Sequence, residues 1–207
     1  MVLVKVKVCG ITNVDDALAA IDMGADILGF NFYPPSPRYI TGAEAVKVID
    51  KLPTFIETAG VFVNSDYNEI KAIDRDGILN WAQLHGDETP EFCDSLKWLN
   101  LKTIKAIRVK TARDIRKAEL YPTDAILFDG YHVDLYGGTG KTFDWSMLGH
   151  LNNRVFLAGG LNCDNAAKAI AVGVYGIDVC SGIESKPGKK DHKKMKKFFD
   201  NIRHLVA

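Results

Sequence analysis

Short runs of apolar, mostly β-branched residues alternate along the chain with longer stretches whose apolar residues recur at helical spacing. In the first pair, a run over 3–8 precedes 13–23, where Val14, Ala17 and Ile21 lie three or four positions apart. The order repeats, which predicts eight strand-then-helix units. The predicted strands and helices are 3–8 and 13–23, 26–30 and 43–52, 58–63 and 66–73, 80–84 and 90–96, 101–107 and 112–119, 125–129 and 144–151, 154–158 and 165–172, and 176–179 and 191–206.

Strands that alternate with helices need crossover connections, so neighbouring strands run parallel. Eight such units over 207 residues close most naturally into a small α/β fold, a single-domain (β/α)8 TIM barrel with a closed parallel sheet spanning 1–207. An open doubly wound sheet is the alternative that the pattern leaves open. In a barrel, catalytic residues lie at the carboxyl ends of the strands, and phosphate often binds after strands seven and eight.

Composition narrows the classes of function. The chain carries 26 Lys+Arg against 26 Asp+Glu, and 47% of its residues are hydrophobic, as in soluble globular domains. This balance gives no reason to expect a nucleic-acid or membrane partner, and no apolar run approaches the length of about 18 residues that a membrane span needs. The isolated cysteines, Cys9, Cys93, Cys163 and Cys180, lack metal-ligand spacing, which predicts reduced thiols in the cytoplasm and no zinc site.

Two glycine-rich motifs for nucleotides fail on their spacing. A P-loop ending in the Gly-Lys-Thr of 140–142 would need glycine in place of Leu135, and a G-x-G-x-x-G motif from Gly138 meets Phe143 at its last position. The lysine-rich stretch 186–197 could bind an anion. Apolar residues at helical spacing within it indicate instead that its lysines cover the solvated face of a helix.

Residue types that carry chemistry stand at several predicted strand ends: Cys9, Arg38 in the loop after strand two, His85, Asp129, Gly159-Gly160 and Ser181-Gly182. With them, the sequence resembles the phosphoribosylanthranilate isomerase family along nearly its whole length. The segments that carry the resemblance are 7–12 (KVCGIT), 29–33 (GFNFY), 36–39 (SPRY), 83–86 (QLHG), 127–129 (LFD), 137–145 (GGTGKTFDW), 157–162 (LAGGLN) and 178–184 (DVCSGIE). Two positions depart from the family pattern: Cys180 replaces the usual serine, and Gly130 the usual alanine or serine.

The resemblance implies an isomerase of tryptophan biosynthesis. Its reaction is the Amadori rearrangement of N-(5′-phosphoribosyl)anthranilate to 1-(2-carboxyphenylamino)-1-deoxyribulose 5-phosphate. An acid protonates the ribose ring oxygen, which opens the ring to a Schiff base, and a base then removes the C2′ proton to give an enolamine that becomes the ketone. By the family pattern Asp129 is the acid and Cys9 the base, and no metal or other cofactor is needed.

These roles set physical conditions. A thiol with the ordinary pKa of about 8.5 is mostly protonated at neutral pH, so Cys9 needs a stabilised thiolate. Lys7 shares a strand face with Cys9, and with Lys5 it would form a cationic column. Asp129 must instead hold a proton, which burial or a nearby negative charge, such as the substrate carboxylate, would favour. Considered alone, Cys9 could be an inert buried thiol and Asp129 a brace for its loop.

The resemblance also places substrate contacts. Lys7, Arg38, His85 and Asp178 are expected at the substrate. Arg38 offers a two-pronged partner for the anthranilate carboxylate, and a surface salt bridge is the alternative. Asp178 is expected near the anthranilate nitrogen, with bracing of the core as its alternative, and His85 could be a wall of the site.

Phosphate is expected at Gly159, Gly160, Ser181 and Gly182. Backbone N–H groups can approach an anion closely at glycine, helped by a helix N-terminus, although tight turns alone would also use these residues. The long segment 131–142 ends in glycines and is predicted to be a mobile lid over the substrate.

Other functions stay open. A histidine-pathway type of phosphoribosyl-sugar isomerase uses two aspartates, and Cys9 on the first strand disfavours it. A barrel that closes the ring of indole-glycerol phosphate would carry a catalytic lysine and glutamate, a pattern that we do not find. A non-catalytic phosphate-binding barrel would not need both Cys9 and Asp129. The expected partner is a small-molecule substrate, and the chain is expected to be a monomer or a homodimer.

Overall fold

The computed structural model describes residues 4–75, 77–130, 142–149 and 154–206. Eight parallel strands follow one another around a closed barrel, and the last strand pairs with the first. The strands are β1 (Lys5–Cys9), β2 (Ile27–Asn31), β3 (Glu57–Phe62), β4 (Trp81–Leu84), β5 (Lys102–Val109), β6 (Ala125–Gly130), β7 (Val155–Leu157) and β8 (Gly176–Val179). The predicted barrel is confirmed, and the open sheet is wrong.

Helices connect the strands on the outside of the barrel. They are α1 (Val14–Met23), α2 (Gly42–Ile49), α3 (Tyr67–Ile73), α4 (Pro90–Ser95), α5 (Ala112–Arg116), α6 (Ala166–Ala171) and α7 (His192–Ile202). Polar side chains begin several helices by accepting a hydrogen bond from a first-turn N–H group, namely Asn13, Thr41, Asp66, Thr89 and Asp191. No described helix is long and apolar enough to cross a membrane.

The sixth unit differs from its prediction. The helix expected over 144–151 is wrong within the described residues, because Asp144 caps only a single 3₁₀ turn, Trp145–Met147. Leu148 is already extended, with φ −76° and ψ 94°, and Gly149, a poor helix former, follows it. The predicted lid over 131–142 lies outside the described residues except for its last position, and it stays a prediction.

A hairpin that the sequence pattern did not predict follows β8. After a 3₁₀ turn, Ser181–Ile183, the chain forms β9 (Glu184–Lys186) and β10 (Lys189–Lys190), which pair antiparallel. Gly188 turns the hairpin with φ +77°, a conformation that residues with a Cβ rarely adopt. The hairpin lies at the carboxyl ends of the barrel strands, between β8 and α7.

The lysine-rich stretch 186–197 therefore divides in two. In α7 the predicted amphipathic helix is confirmed: its lysines are exposed, whereas its apolar face, Met195, Phe198, Phe199 and Ile202, is buried. Lys190 contradicts the same interpretation, because it belongs to the hairpin and its side chain is completely buried.

The barrel interior is apolar at one end and polar at the other. Trp81 and Phe156 meet edge to face, with ring centroids 6.4 Å apart, near the amino ends of the strands. A second, larger apolar cluster fills the space between the strands and the helices. Nearer the carboxyl ends the buried side chains are polar, and they include Lys7, Gln83, His85, Asp129 and Asp178. Because buried polar groups need partners or a ligand, this end is where a site is expected.

Candidate active site

A pocket opens at the carboxyl ends of the strands. Every site residue predicted from the sequence lines it except Lys7 and Gly182. The lining also includes Asn31, Tyr33, Gln83 and Cys180. Within the described part of the chain, no three His, Cys, Asp or Glu side chains are grouped so that they could hold a metal ion. The barrel thus brings together side chains from both ends of the sequence.

Lys7 and Cys9 lie on one face of β1, as predicted, and Lys7 is completely buried. Its Nζ donates a hydrogen bond to Asp178 Oδ1 on β8 at 3.0 Å. Gly29 on β2 leaves room for both side chains, since a Cβ there would lie 2.8 Å from Cys9 Sγ and 3.0 Å from Lys7 Nζ. Because Gly29 on β2 has no side chain, Lys7 and Cys9 on the neighbouring strand β1 both have room.

Lys5 does not extend this cluster, so the predicted cationic column is wrong in part. Its Nζ instead pairs with Asp26 Oδ1 at 2.7 Å, at the amino ends of the strands. The two-residue spacing places Lys5 on the same face as Lys7, but a rise of about 6.6 Å along a strand carries it away from the thiol.

The pKa of the Cys9 thiol is held well below its usual value. The largest cause is a hydrogen bond from the thiol of Cys180, the residue after β8. Burial acts in the opposite direction, and the ammonium groups of Lys7 and Lys190 add to the lowering. The same hydrogen bond raises the pKa of Cys180 well above its usual value. Of the two thiols, Cys9 is therefore the one that becomes the thiolate, the form that accepts a proton.

Asp178 pairs with Lys7, yet burial raises its pKa to about 7. The Lys7 ammonium opposes this effect, whereas the negative charges of Cys9 and Asp129 reinforce it. Asp178 thus lines the pocket and also joins β8 to β1 through Lys7, and its predicted place near the anthranilate nitrogen stays a prediction.

Asp129 lies near the end of β6, and its side chain is buried beside His85. His85 Nε2 lies 3.2 Å from Asp129 Oδ2, and His85 Nδ1 lies 2.9 Å from Gln83 Nε2. An amide NH2 group donates, so Nδ1 accepts and the ring proton of a neutral His85 lies on Nε2. Gln83 thus orients the imidazole, and His85 stands beside Asp129.

Three buried polar atoms of this group have no hydrogen-bond partner within the described residues: Gln83 Oε1, His85 Nε2 and Asp129 Oδ1. All three residues line the pocket. Buried polar atoms without partners cost free energy, so their grouping at an open pocket indicates the place of a polar ligand.

Arg38 lines the pocket, but its fork is already engaged. Its Nε and Nη2 donate to the carboxylate of Glu184, at 3.0 Å to Oε1 and 2.7 Å to Oε2. Burial acts to lower the pKa of Arg38, and the hydrogen bonds to Glu184 outweigh it, so that the pKa is raised. This edge of the guanidinium is therefore taken by Glu184, and the two-pronged grip predicted for a substrate carboxylate stays a prediction for the edge formed by Nη1 and Nη2. The salt bridge predicted as its alternative is formed, although it is buried rather than on the surface.

Gly159 and Gly160 follow β7 with φ +83° and +64°, and they line the pocket beside Ser181. Two consecutive left-handed residues turn successive N–H groups toward one side of the chain, which suits an anion. Gly182 serves packing as well, because a Cβ there would clash with the carbonyl of Leu161. The loops after β7 and β8 therefore interlock through a glycine.

The chain matches the family model of N-(5′-phosphoribosyl)anthranilate (PRA) isomerase over residues 6–201. It is 42% identical over 208 residues to the N-(5′-phosphoribosyl)anthranilate isomerase of Trichlorobacter lovleyi, with 99% of this chain and 100% of that protein covered. The chain belongs to the PRA isomerase family. It is therefore an isomerase of tryptophan biosynthesis, and the family resemblance drawn from its motifs is confirmed.

Solved PRA isomerases share the fold. The enzyme from Thermus thermophilus is 33% identical, with a TM-score of 0.89 and coverage of 97% of this chain and 99% of that chain. A second PRA isomerase, 38% identical with a TM-score of 0.85, covers 98% of this chain over 100% of its own length. That structure is a complex with reduced 1-(o-carboxyphenylamino)-1-deoxyribulose 5-phosphate. The histidine-pathway and non-catalytic alternatives are not supported by these matches.

Sequence reasoning missed three residues of this PRA isomerase site. Gln83 and Glu184 lie inside motifs that carried the family resemblance, so their positions could have been found there. Lys190 gave no such signal, because it stands among lysines that are exposed. Cys163 lies in a turn before α6, and Cys93 is buried in α4, where burial raises its thiol pKa to about 11.

Proposed function

We propose that this PRA isomerase, as a single-domain enzyme of the cytoplasm, catalyses the Amadori rearrangement of N-(5′-phosphoribosyl)anthranilate to 1-(2-carboxyphenylamino)-1-deoxyribulose 5-phosphate by general acid–base catalysis. This is the third step of tryptophan synthesis from chorismate. Cys9 is the base and Asp129 the acid. The observation that carries the proposal is the lowered pKa of a pocket-lining thiol that faces the same cavity as a buried carboxyl group.

The reaction begins when Asp129 gives its proton to the ribose ring oxygen. The bond from that oxygen to C1′ breaks, and the nitrogen lone pair forms the Schiff base. The Cys9 thiolate then takes the proton from C2′, and the electrons of the C–H bond form a carbon–carbon double bond while the imine electrons return to nitrogen. The resulting enolamine gains a proton at C1′ and loses that of its hydroxyl group, which leaves the ketone.

Asp129 is placed where a proton donor is needed, because its carboxyl group is buried at 3% exposure and lines the same pocket as Cys9. The unpaired atoms of His85 and Gln83 suit the ribose hydroxyl groups, which can donate to an amide oxygen or accept from an imidazole N–H.

The two charged ends of the substrate fit different groups of the pocket. The phosphate suits the N–H groups at Gly159, Gly160 and Gly182, with the Ser181 hydroxyl as a further donor. The anthranilate carboxylate suits the edge of the Arg38 guanidinium that Glu184 does not use, formed by Nη1 and the second N–H of Nη2. That edge still offers two parallel donors to a carboxylate.

The first prediction tests the acid and the base. Cys9→Ala and Asp129→Asn are each expected to lower kcat for phosphoribosylanthranilate by at least about a hundredfold, the usual scale for the loss of general acid or base catalysis. Steady-state turnover, with circular dichroism to show that the fold is intact, measures this. Cys163→Ala and Asp15→Asn, which remove a thiol and a carboxylate away from the pocket, serve as matched controls. Near-normal turnover in a pocket variant would remove that residue from the mechanism.

A further inference from the structure

Lys190 contacts the backbone of Cys9, the proposed base, and its side chain is completely buried. Its Nζ donates to the carbonyl oxygen of Cys9 at 2.6 Å and to Glu184 Oε1 at 3.1 Å. The same ammonium lies 3.5 Å from the carbonyl oxygen of Cys180 and 3.9 Å from its Sγ. One cation therefore contacts the backbone of Cys9 and the residue whose thiol hydrogen-bonds to it.

The hairpin that carries Lys190 is fastened to the loop and helix after β1. Thr12 Oγ1 donates to the carbonyl oxygen of Gly188 at 2.5 Å. The backbone N–H of Lys190 donates to Asp16 Oδ2 at 2.8 Å, and His192 Nε2 lies 2.8 Å from Asp16 Oδ1. These contacts fix the hairpin relative to the strand that ends at Cys9.

Among the described residues, the charges around Cys9 do not cancel. Lys7 is matched by Asp178 across β1 and β8. Glu184 is shared by two cations, Arg38 and Lys190, so these residues leave one positive charge beside the thiol pair. In this part of the chain, the titratable and charged groups that face Cys9 are Lys7 on β1, Asp178 and Cys180 at the end of β8, Glu184 and Lys190 in the hairpin, and Arg38 in the loop after β2.

We propose that Lys190 is a positioning residue for the isomerase reaction: it fixes the Cys9 carbonyl and supplies the positive charge that keeps the Cys9 sulfur a thiolate. Lys190 does not line the described pocket, so it acts through Cys9 rather than on the substrate. A buried ammonium is costly unless it is paired and hydrogen-bonded, and its three oxygen partners offset this cost. The inference rests on the proposed role of Cys9 as the base.

Lys190→Met removes the charge and keeps the length of the side chain. The rate at which iodoacetamide alkylates Cys9 is measured against pH, with the Cys9 peptide followed by mass spectrometry, because only the thiolate reacts. We expect the pH midpoint of Cys9 alkylation to rise by about one unit, because a buried positive charge near the thiolate is lost. The acid limb of the pH profile of kcat should move to higher pH by the same amount, while KM changes less than twofold. Lys189→Met, which alters the exposed neighbour, is the control and should leave both unchanged.

Lys190→Gln keeps a donor for the Cys9 carbonyl without the charge. It should shift the midpoint as far as Lys190→Met does and lose less kcat. If neither variant folds, the wild-type measurement decides, since a Cys9 midpoint at or above that of an ordinary thiol, about 8.5, overturns the inference. An unmoved midpoint in a folded Lys190 variant also overturns it.

The proposed function and the role of Lys190 can be refuted independently of each other. If Cys9→Ala retains turnover, Cys9 is not the base, even where Lys190→Met shifts the alkylation midpoint. If Cys9→Ala is inactive and the midpoint in Lys190→Met does not move, the base stands and the role of Lys190 is wrong.

Discussion

At position 180 this chain carries a thiol where its family resemblance predicts a hydroxyl group. The thiol of Cys180 donates to Cys9, and the pairing lowers the pKa of one sulfur while it raises that of the other. A pair of identical groups is thus divided by its surroundings into a donor and a base. Lys7 favours the thiolate of Cys9, whereas the Lys190 ammonium lowers the pKa of both thiols.

Cys180→Ala removes the donor and tests this division. The Cys9 pKa should rise toward its ordinary value, so the acid limb of the pH–rate profile should move to higher pH and kcat at pH 7 should fall about tenfold for each unit. Cys180→Ser keeps an O–H donor at the same place and should retain most of the activity. Equal pH–rate profiles for the alanine variant and the wild type would show that the hydrogen bond does not set the pKa of the base.

At the scale of elements, different loops after the strands supply different groups of the pocket. Those after β7 and β8 present the glycines and Ser181, and they interlock where Gly182 packs on the carbonyl of Leu161. The loop after β2 brings Arg38 to Glu184 in the hairpin, so the first and last quarters of the chain are joined across the mouth of the pocket. A rim joined in this way would hold the proposed phosphate site in place before the substrate arrives.

Gly160→Val tests the anion site. The variant needs a β-branched residue at φ +64°, which strains the turn, and its side chain would occupy space next to the proposed phosphate. KM should rise at least about tenfold with a smaller change in kcat, since phosphate is held equally in the ground and transition states. Gly173→Ala, also at positive φ but with open space around it, controls for backbone strain. If inorganic phosphate inhibits the variant as strongly as the wild type, the phosphate lies elsewhere.

At the scale of the whole molecule, α7 covers the barrel between α1 and α6. Its buried side chains, Met195, Phe198, Phe199 and Ile202, belong to the large apolar cluster around the strands. Phe198 and Phe199 meet edge to face with ring centroids 5.6 Å apart. The last helix therefore contributes to the core of the entire barrel, far from the reacting atoms.

Phe198→Ala should separate stability from catalysis. Truncation of a fully buried phenylalanine is expected to lower the free energy of unfolding by about 3–5 kcal/mol, measured by urea denaturation, while kcat of the folded enzyme stays near that of the wild type. Lys197→Ala on the exposed face should change stability by less than about 0.5 kcal/mol. A loss of kcat in folded Phe198→Ala would show that the core also sets the geometry of the site.

How far the sequence predicted this molecule depends on the range of the interactions. The alternation of short and long apolar segments predicted the barrel, because local periodicity decides which segments become strands and helices. Motif residues such as Cys9 and Asp129 could be placed at strand ends for the same reason. The partners of Arg38 and Lys190 could not be, since Glu184 meets Arg38 from 146 positions away and only the closed barrel brings them together. The failed helix at 144–151 shows the opposite limit, where local apolar spacing suggested more order than a single 3₁₀ turn provides.

The closing contact of the barrel joins β1 to β8, the first strand made to the last. During synthesis Cys9 leaves the ribosome early, whereas Cys180 and Lys190 emerge near the end of translation. Before they dock, neither residue can lower the pKa of the Cys9 thiol, so we expect that pKa to fall only once β8 and the hairpin have packed against β1. The pH dependence of Cys9 alkylation during refolding should therefore report on closure of the barrel, independent of any optical signal from the helices.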